Sequence, residues 1–205
     1  MDETTFDTLI ASLNDAPVGS AVEMMIPRMT VVAAEGEGHP GSDGFRQGIR
    51  DLWRVAYAIQ QLPKTDHAPA GFAPYTMPPT EVVFERADRN CPWRMFFPQP
   101  DFVTQEVLDQ VLEDLRSKDK ELKGDVFLAV HEPQRVVQTM HVGFPAGLPD
   151  SIAVITRYVE AHGLTIVGHH HETFIDDPIR IGFETARDLI RYAVASSPNP
   201  DLAKS

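Results

Sequence analysis

The order of apolar patterns along the chain limits its fold more than any single motif does. A strand pattern, a helix pattern and two further strand patterns follow one another between Met29 and Pro98. The same order recurs between Arg135 and Val194. Strands and helices that alternate without regular βαβ spacing are typical of α+β proteins with a mainly antiparallel sheet. The sequence therefore predicts an α+β fold, a pseudo-symmetric pair of strand-helix-strand-strand units with a ligand cleft between them.

The helix of the first unit has the clearest pattern. Apolar side chains recur at helical spacing from Phe45 to Gln61, and Pro63 ends the helix. The glycine-rich segment 35–44 precedes it, with Ser42 or Asp43 as the expected N-cap. This segment is acidic and has neither lysine nor a phosphate-binding glycine motif, so we interpret it as a tight loop.

The remaining elements follow from the same periodicities and from turn residues. Strands are predicted at 81–85, 93–98, 125–132, 135–143 and 164–174, with 125–132 and 135–143 joined as a hairpin. Helices are predicted from the N-cap Thr104 to Leu115, and from Pro149 to Gly163, where glycine fits the C′ position. The run 189–194 fits a helix or a strand.

Residues 1–27 are predicted to be an appendage to a main domain at 28–195, and 196–205 a frayed tail. Phe6, Leu9, Ile10 and Leu13 fall on one helical face. Such a helix would dock on the main body or on a second subunit, which would make the protein a homodimer. A lid over a site is the other interpretation.

Charge and composition exclude several classes of protein. The chain has 18 Lys and Arg against 30 Asp and Glu, a net charge of -12, and therefore lacks the basic face that nucleic-acid binding requires. No stretch has the roughly 20 apolar residues of a membrane span. The N-terminus does not resemble a signal peptide, and the single cysteine, Cys91, cannot form an internal disulfide. We expect a soluble cytoplasmic protein with neutral or cationic small partners, no nucleic acid and no membrane.

The densest group of polar residues is the run GHHHETF. On a strand, His170, Glu172 and Phe174 would share one face, and His169 and His171 the other. Either face supplies at most two metal ligands, and a third, such as His141, would have to come from elsewhere. Because HExxH is also absent, we assign no metal and no cofactor.

Glu172 is the first candidate catalytic residue. It lies between apolar residues of a strand, where a carboxylate without a partner is costly. It is therefore either a general base or cation binder, or it sits at an exposed strand edge. Glu81 starts another strand and Tyr75 lies just before it. Two carboxylates and a phenol around one cleft could protonate a substrate at one end and activate water at the other.

Five segments together resemble the GyrI-like small-molecule-binding proteins, in particular their stand-alone, single-domain branch. The resemblance runs from about Ile26 to about Val194, and MFFPQPDFVT and HHHETFIDDP are its most specific parts. The segments are IPRMTVVAAEGEGHPGS with the helix after it, YTMPPTE, PQPDFVTQEVLDQVLED, QTMHVGFP and HHHETFIDDPIR.

The resemblance implies a fold and a site. Family members pair two strand-helix-strand-strand units around a ligand cleft, which makes 189–194 the last strand. Glu172 matches the acidic residue that meets cationic or polar parts of aromatic ligands. Glu81 matches the glutamate of the PP-x-E motif, and Tyr75 the tyrosine before it. Some members of the branch are hydrolases that open the spirocyclopropane of DNA-alkylating natural products with water.

The chain departs from the family at three places. VVFER follows Glu81, where relatives tend to carry a tryptophan. HVGFP stands where relatives have His-x-Gly-Pro-Tyr, and Phe174 stands where a tyrosine is usual. These departures bear on the identity of the ligand and on the details of catalysis.

Three functional hypotheses follow. In the first, the protein hydrolyses strained electrophilic rings for detoxification, with Glu172 as general base and Glu81 or Tyr75 as proton donor. In the second, it sequesters lipophilic or cationic aromatic compounds without catalysis. In the third, it inhibits a protein partner through an exposed surface. The predicted ligand-binding residues are Trp53, Tyr57, Phe84, Trp93, Phe97, His141, His170 and Phe174.

Overall fold

Antiparallel strand pairing organises the chain, and nine strands and five α-helices occur within the residues that the structure describes. The computed structural model describes residues 3–64, 69–118 and 122–197. The helices are α1 (Glu3–Leu13), α2 (Asp43–Gln60), α3 (Gln105–Ser117), α4 (Leu148–Ala161) and α5 (Pro178–Ile181). The strands are β1 (Val22–Ile26), β2 (Met29–Gly38), β3 (Thr80–Phe84), β4 (Cys91–Gln99), β5 (Phe127–His131), β6 (Gln134–Val142), β7 (Leu164–Ile166), β8 (His170–Phe174) and β9 (Arg187–Ser196).

The order of the strands confirms the predicted α+β class and the paired units. The sheet runs β1-β6-β9-β8-β3-β4-β2-β5, and β7 pairs with β9. In the first unit β2, α2, β3 and β4 give the strand order β2-β4-β3. In the second, β6, α4, β8 and β9 give the order β6-β9-β8. The two units meet where β3 pairs with β8, so these strands form the centre of the sheet.

The predicted hairpin between the fifth and sixth strands is wrong. Although only two residues separate them, β5 pairs with β2 at one edge of the sheet, and β6 pairs with β9 and β1 near the other. The short connection therefore links the two units instead of closing a turn between paired strands. Sequence periodicity also misses β1, because five residues are too short a run to show a period.

The predicted glycine-rich loop is in part strand, because β2 continues to Gly38 opposite β4. Gly36 pairs with Trp93, and a side chain at Gly36 would meet the buried Trp93 indole well inside van der Waals contact. Glycine is therefore used here for close packing against an aromatic ring.

Gly36→Ala is expected to lower the free energy of unfolding by about 1–3 kcal/mol, since the Trp93 ring has to move within a packed core. Denaturant unfolding measures the change. Gly44→Ala is the control, because its new Cβ would lie 3.7 Å from the nearest backbone oxygen, which is ordinary contact. Equal unfolding midpoints for the two variants would contradict this view of Gly36.

α2 and α3 begin at the predicted N-caps, whereas the short α5 was not predicted. The Ser42 hydroxyl accepts a hydrogen bond from the Phe45 N–H at the start of α2, and Thr104 does the same for Val107 at α3. Gly163, just after α4, has a φ of +62°. α2 packs on β2 and β4, whereas α4 packs on β6, β7 and β9, all on one face of the sheet. We call this the helix face, and the opposite one the open face.

The first helix packs on the open face. Phe6, Ile10 and Leu13 are buried in a cluster with Tyr75 and Val136. Near the C-terminal end of α1, the backbone oxygen of Leu13 accepts hydrogen bonds from Arg191 and Gln138. Within a single chain, the N-terminal helix thus docks on the main body.

The predicted long strand at 164–174 is two strands, β7 and β8, separated by Val167, Gly168 and His169. A side chain at Gly168 would collide with Ala193 on β9, so the chain crosses close to that strand here. The 189–194 run lies in β9, as the family resemblance implies. None of the described helices is long and apolar enough to cross a membrane. Most of the predicted frayed tail lies outside the described residues.

Candidate functional site

Strand alternation separates the predicted site residues onto the two faces of the sheet. Glu172, His170 and Phe174 lie on the helix face, and His171 lies on the open face, as the sequence predicts for this strand. Glu81 pairs with Thr173, and Val82 pairs with Glu172. Because neighbours across a ladder share a face, Glu81 lies on the open face and Glu172 on the helix face. The two carboxylates do not share a cleft.

Tyr75 is also away from Glu172. Its ring packs edge-on against Phe6 of α1, and its hydroxyl donates to Gln99 Oε1 at 3.3 Å. Burial raises the pKa of Tyr75 above its ordinary value. The arrangement in which Glu172, Glu81 and Tyr75 meet around one cleft is therefore wrong. Strand alternation puts the two carboxylates on opposite faces, and Tyr75, which precedes β3, packs against α1.

The helix face has an uncovered strip between α2 and α4. At one end of this strip, a row of facing residues crosses the sheet through Phe97, Thr80, Phe174, Asp188 and His141. Phe174 and Asp188 are only partly buried, so this end is open to solvent. We call it the groove.

Glu172 lies beneath the groove and is fully buried. One carboxylate oxygen lies 2.6 Å from His170 Nε2, and the other accepts from Arg89 at 3.2 Å. His170 Nδ1 is 2.7 Å from the Tyr192 hydroxyl. Burial, together with the charge of Glu172, raises the pKa of Tyr192 to about 12, so its hydroxyl keeps its proton. Both oxygens of Glu172 are thus engaged inside the protein.

Arg89 reaches Glu172 from the turn between β3 and β4. Its φ is +60°, and in the described ranges it is the one non-glycine residue in the left-handed region. Such a conformation costs about 1–3 kcal/mol and persists where the surroundings enforce it. Its side chain is mostly buried against Glu172, so the turn places a cation next to a carboxylate that would otherwise be uncompensated.

Asp188 is the residue that sequence analysis missed. It pairs with Phe174 on one side and His141 on the other, and lies on the same face as Glu172. Burial raises the pKa of the Asp188 carboxyl to about 7, and the charge of Glu172 adds to the shift, whereas Arg89 opposes it. A carboxyl that titrates near neutrality can both donate and accept a proton at physiological pH.

The raised pKa of Asp188 predicts a pH-dependent stability. The folded carboxyl titrates at about 7 and the unfolded one near 3.8, so the folded state holds an extra proton between these values. Stability is therefore lost as pH rises through this window and is constant above it. We expect Asp188→Asn to melt at a higher temperature than the wild type at pH 8. The rise should be about 2–4 °C for each kcal/mol gained in the free energy of unfolding. The difference should shrink towards pH 4.

Thermal melts at both pH values measure this difference. Asp109→Asn, on the exposed face of α3, is the control and should match the wild type at both. A difference between Asp188→Asn and the wild type that is the same at pH 4 and pH 8 would contradict the pKa assigned to Asp188.

The two groove histidines are held by the protein itself. His141 Nδ1 is 2.9 Å from the Ser151 hydroxyl, and its Nε2 is 3.1 Å from the Phe144 backbone oxygen. Since a carbonyl only accepts, Nε2 carries the proton. Both nitrogens of His170 are likewise occupied. Neither histidine has a ring nitrogen free for a ligand, so the prediction that they bind one directly is corrected: they hold the neighbouring carboxyls and α4 in place.

Aromatic side chains border the groove on both sides. Trp53 of α2 is 42% exposed, and its ring lies edge-on to Phe97, with centroids 5.2 Å apart. Tyr57, one turn later, is 55% exposed. On the other side Phe144 and Phe183 stack and are both exposed.

Three predicted wall residues belong instead to the core, because Phe97 is fully buried in the same apolar cluster as Phe84 and Trp93. Phe84 and Trp93 both pack against Phe45 of α2 and are buried beneath that helix. Both lie under the start of α2, at the end of the strip away from the groove, so the helix covers them. In the part of the chain that the structure describes, no three His, Cys, Asp or Glu residues come together in a way that could hold a metal ion.

Comparison with known proteins identifies relatives by structure alone. Neither family models nor curated proteins give a match to the sequence. A crystal structure of a hydrolase from Listeria innocua is 26% identical with a TM-score of 0.84, covering 95% of this chain and 100% of that one. A second hydrolase structure from Listeria innocua is 24% identical with a TM-score of 0.84, covering 95% and 99%.

A more distant match gives the fold class. The C-terminal domain of EcmrR is 14% identical with a TM-score of 0.57, covering 86% of this chain and 98% of that domain, which bears on the fold alone. The architecture, two strand-helix-strand-strand units in one antiparallel sheet, fits a GyrI-like fold.

Proposed function

We propose that the protein is a small-molecule hydrolase of the GyrI-like type and that the groove is its active site. Asp188 is the group that transfers the proton. The observation that carries this proposal is the position of Asp188, a partly buried carboxyl that lies beside Phe174 and close to Glu172 on the helix face. Burial raises the pKa of this carboxyl to about 7. Two similar structures from Listeria innocua are described as hydrolases, which supports an enzymatic role.

Glu172 has a different role in this proposal from the general base that the sequence suggested. Because it is fully buried and both of its oxygens are engaged, it offers no position for a water molecule. Its charge instead raises the pKa of Asp188, and His170 and Arg89 keep that charge in place. Glu172 is therefore a positioning residue, which acts through Asp188.

The substrate class we propose is a spirocyclopropane attached to a dienone ring, as the family resemblance implies. A water oxygen forms a bond to the cyclopropane CH₂ carbon, and the C–C bond to the spiro carbon breaks. The released electron pair enters the ring, and the carbonyl oxygen takes the proton of Asp188 and becomes a phenol. The attacking water then returns a proton to the Asp188 carboxylate. Trp53 and Phe174 would stack against the flat ring system.

Turnover tests the proposal. The purified protein is mixed with a spirocyclopropane dienone, and the dienone absorbance and the products are followed. Loss of absorbance with formation of the ring-opened phenol supports a hydrolase, provided that the rate scales with enzyme concentration. Quantitative recovery of unchanged compound would overturn the proposal.

The exposed aromatic rings favour one other function, sequestration of lipophilic or cationic compounds. Trp53, Tyr57, Phe144 and Phe183 supply more apolar surface than chemistry at Asp188 requires. On this account a compound binds in the groove and is recovered unchanged, and Asp188→Asn weakens the binding of a cation but not that of a neutral analogue. Equilibrium dialysis followed by product analysis separates the two functions.

A further inference from the structure

The open face contains a cavity that the groove does not use. Its volume is about 960 Å³, which falls in the range of small-molecule sites. Phe96 and His171 line its floor, and His131 and the segment 132–135 form one wall. The sheet itself separates this cavity from Asp188, because its lining side chains on β3, β4 and β8 alternate with those of the groove.

A chain of buried polar side chains supports the cavity floor. His171 Nε2 lies 2.8 Å from Glu81 Oε2, and the same oxygen accepts from Arg191 at 3.2 Å. Arg191 also donates to Gln138 at 2.9 Å. All four residues are at least 95% buried. The same network also holds α1, because Arg191 and Gln138 both donate to the Leu13 backbone oxygen, so it joins the N-terminal helix to the cavity floor.

This network of buried side chains determines which ring nitrogen of His171 carries the proton. Burial alone would raise the pKa of Glu81, but His171, Arg191 and His131 outweigh burial and leave the pKa below its ordinary value. Burial lowers the pKa of His171 despite the nearby Glu81. His171 Nε2 lies close to the Glu81 carboxylate without hydrogen-bond alignment. The negative charge beside it favours a proton on Nε2, which leaves Nδ1 as the acceptor. On the same face, Thr173 Oγ1 is buried without a hydrogen-bond partner among the described residues.

Two other rings lie close to the His171 imidazole. The ring centroid of Phe96 lies 5.6 Å from that of His171 and 5.6 Å from that of His131, and the two imidazoles are 6.3 Å apart. Burial lowers the pKa of His131 to about 4, so it is an uncharged ring at neutral pH. Such a surface suits a flat aromatic compound.

The charges at the rim disfavour anions. Two arginines line the cavity, and each is already paired, Arg94 with Glu35 and Arg135 with Glu23. Glu85 and Glu132 add two further carboxylates. A carboxylate or phosphate ligand would therefore meet no unpaired arginine among the described lining residues, in a chain with a net charge of -12.

We propose that the open-face cavity is a second small-molecule site, which takes an uncharged planar aromatic compound with an O–H or N–H group that donates to His171. This proposal does not depend on the hydrolase proposal, since the two sites lie on opposite faces of the sheet.

Histidine signals test it, because His131 and His171 report on the cavity whereas His141 and His170 report on the groove. The probe is 2-naphthol, and 2-methoxynaphthalene is its matched analogue without a donor. Long-range ¹⁵N–¹H spectra of histidine-labelled protein are recorded during titration. We expect saturable shifts at His131 and His171, an Nε2–H tautomer at His171, and binding of the methyl ether that is weaker by about tenfold.

Two variants make the test specific. Val83→Trp fills the cavity without removing a buried hydrogen bond and should abolish the shifts, whereas Val142→Trp, on an exposed strand position outside the cavity, should not. His171→Phe should bring 2-naphthol down to the affinity of the ether.

Three outcomes overturn the proposal: no saturable shift, shifts confined to His141 and His170, or equal affinity for the two naphthalenes. Asp188→Asn should leave 2-naphthol binding unchanged, so a failure of the hydrolase proposal and a failure of this one are distinguishable.

Discussion

Asp188→Asn should lower kcat/KM for a spirocyclopropane dienone by about 10²–10⁴, the usual contribution of a positioned acid or base. The substitution keeps the shape of the side chain and removes the transferable proton. Since the Asp188 carboxyl is costly to ionise in the folded state, the variant should fold at least as stably as the wild type above neutral pH. Loss of turnover in a stable protein would then report chemistry.

Asp109→Asn is the matched control, because it makes the same chemical change on the exposed face of α3. It should retain full turnover. Wild-type kcat/KM in Asp188→Asn, with Asp109→Asn also unchanged, would show that the proton comes from another group.

Glu172→Gln should shift the pH profile of the reaction. With Asp188 acting as an acid, kcat/KM is high below its pKa and falls as pH rises through about 7. The charge of Glu172 is one of the causes that raise this pKa, so removing the charge lowers it. We expect the midpoint of the fall to move to lower pH by about one unit, as for neighbouring carboxylates that lose their mutual repulsion.

Activity at pH 5 separates this tuning role from a direct one. If Glu172 acts through Asp188, the Glu172→Gln variant should recover most of its activity at pH 5, where Asp188 is protonated in either background. If Glu172 were the base itself, activity would be lost at every pH. Glu113→Gln, exposed on α3, is the control for the Glu-to-Gln change.

Local signals account for what the sequence predicts correctly. The face and N-cap of α2 follow from spacing and from Ser42, and these depend on neighbours within a few residues. The alternation of His170, Glu172 and Phe174 against His171 also follows from strand geometry alone. For the same reason the two-unit α+β class could be predicted from element order.

The sequence does not determine which strands pair, or in which register. Whether Glu81 and Glu172 share a face depends on which residue of β3 stands opposite which residue of β8, and a shift of one residue would reverse the answer. The connection between β5 and β6 resembles a tight hairpin, yet the strands pair elsewhere because each completes a different unit.

The sequence does not single out Asp188, because the apolar run begins one residue later, at Leu189. Extending that strand by one residue would have placed a carboxyl on the same face as Tyr192. Its importance still depends on contacts from three other segments, since Phe174, His141 and the Arg89 turn come from distant parts of the sequence.

The pKa of Asp188 tests the central claim most directly. Carboxyl ¹³C signals of aspartate-labelled protein are followed with pH, and the Asp188 signal is assigned by its absence in Asp188→Asn. The account predicts titration at about 7, and a lower value in Glu172→Gln. Titration near the ordinary aspartate value of about 3.9 would contradict it, because Asp188 would then have no proton to transfer at neutral pH.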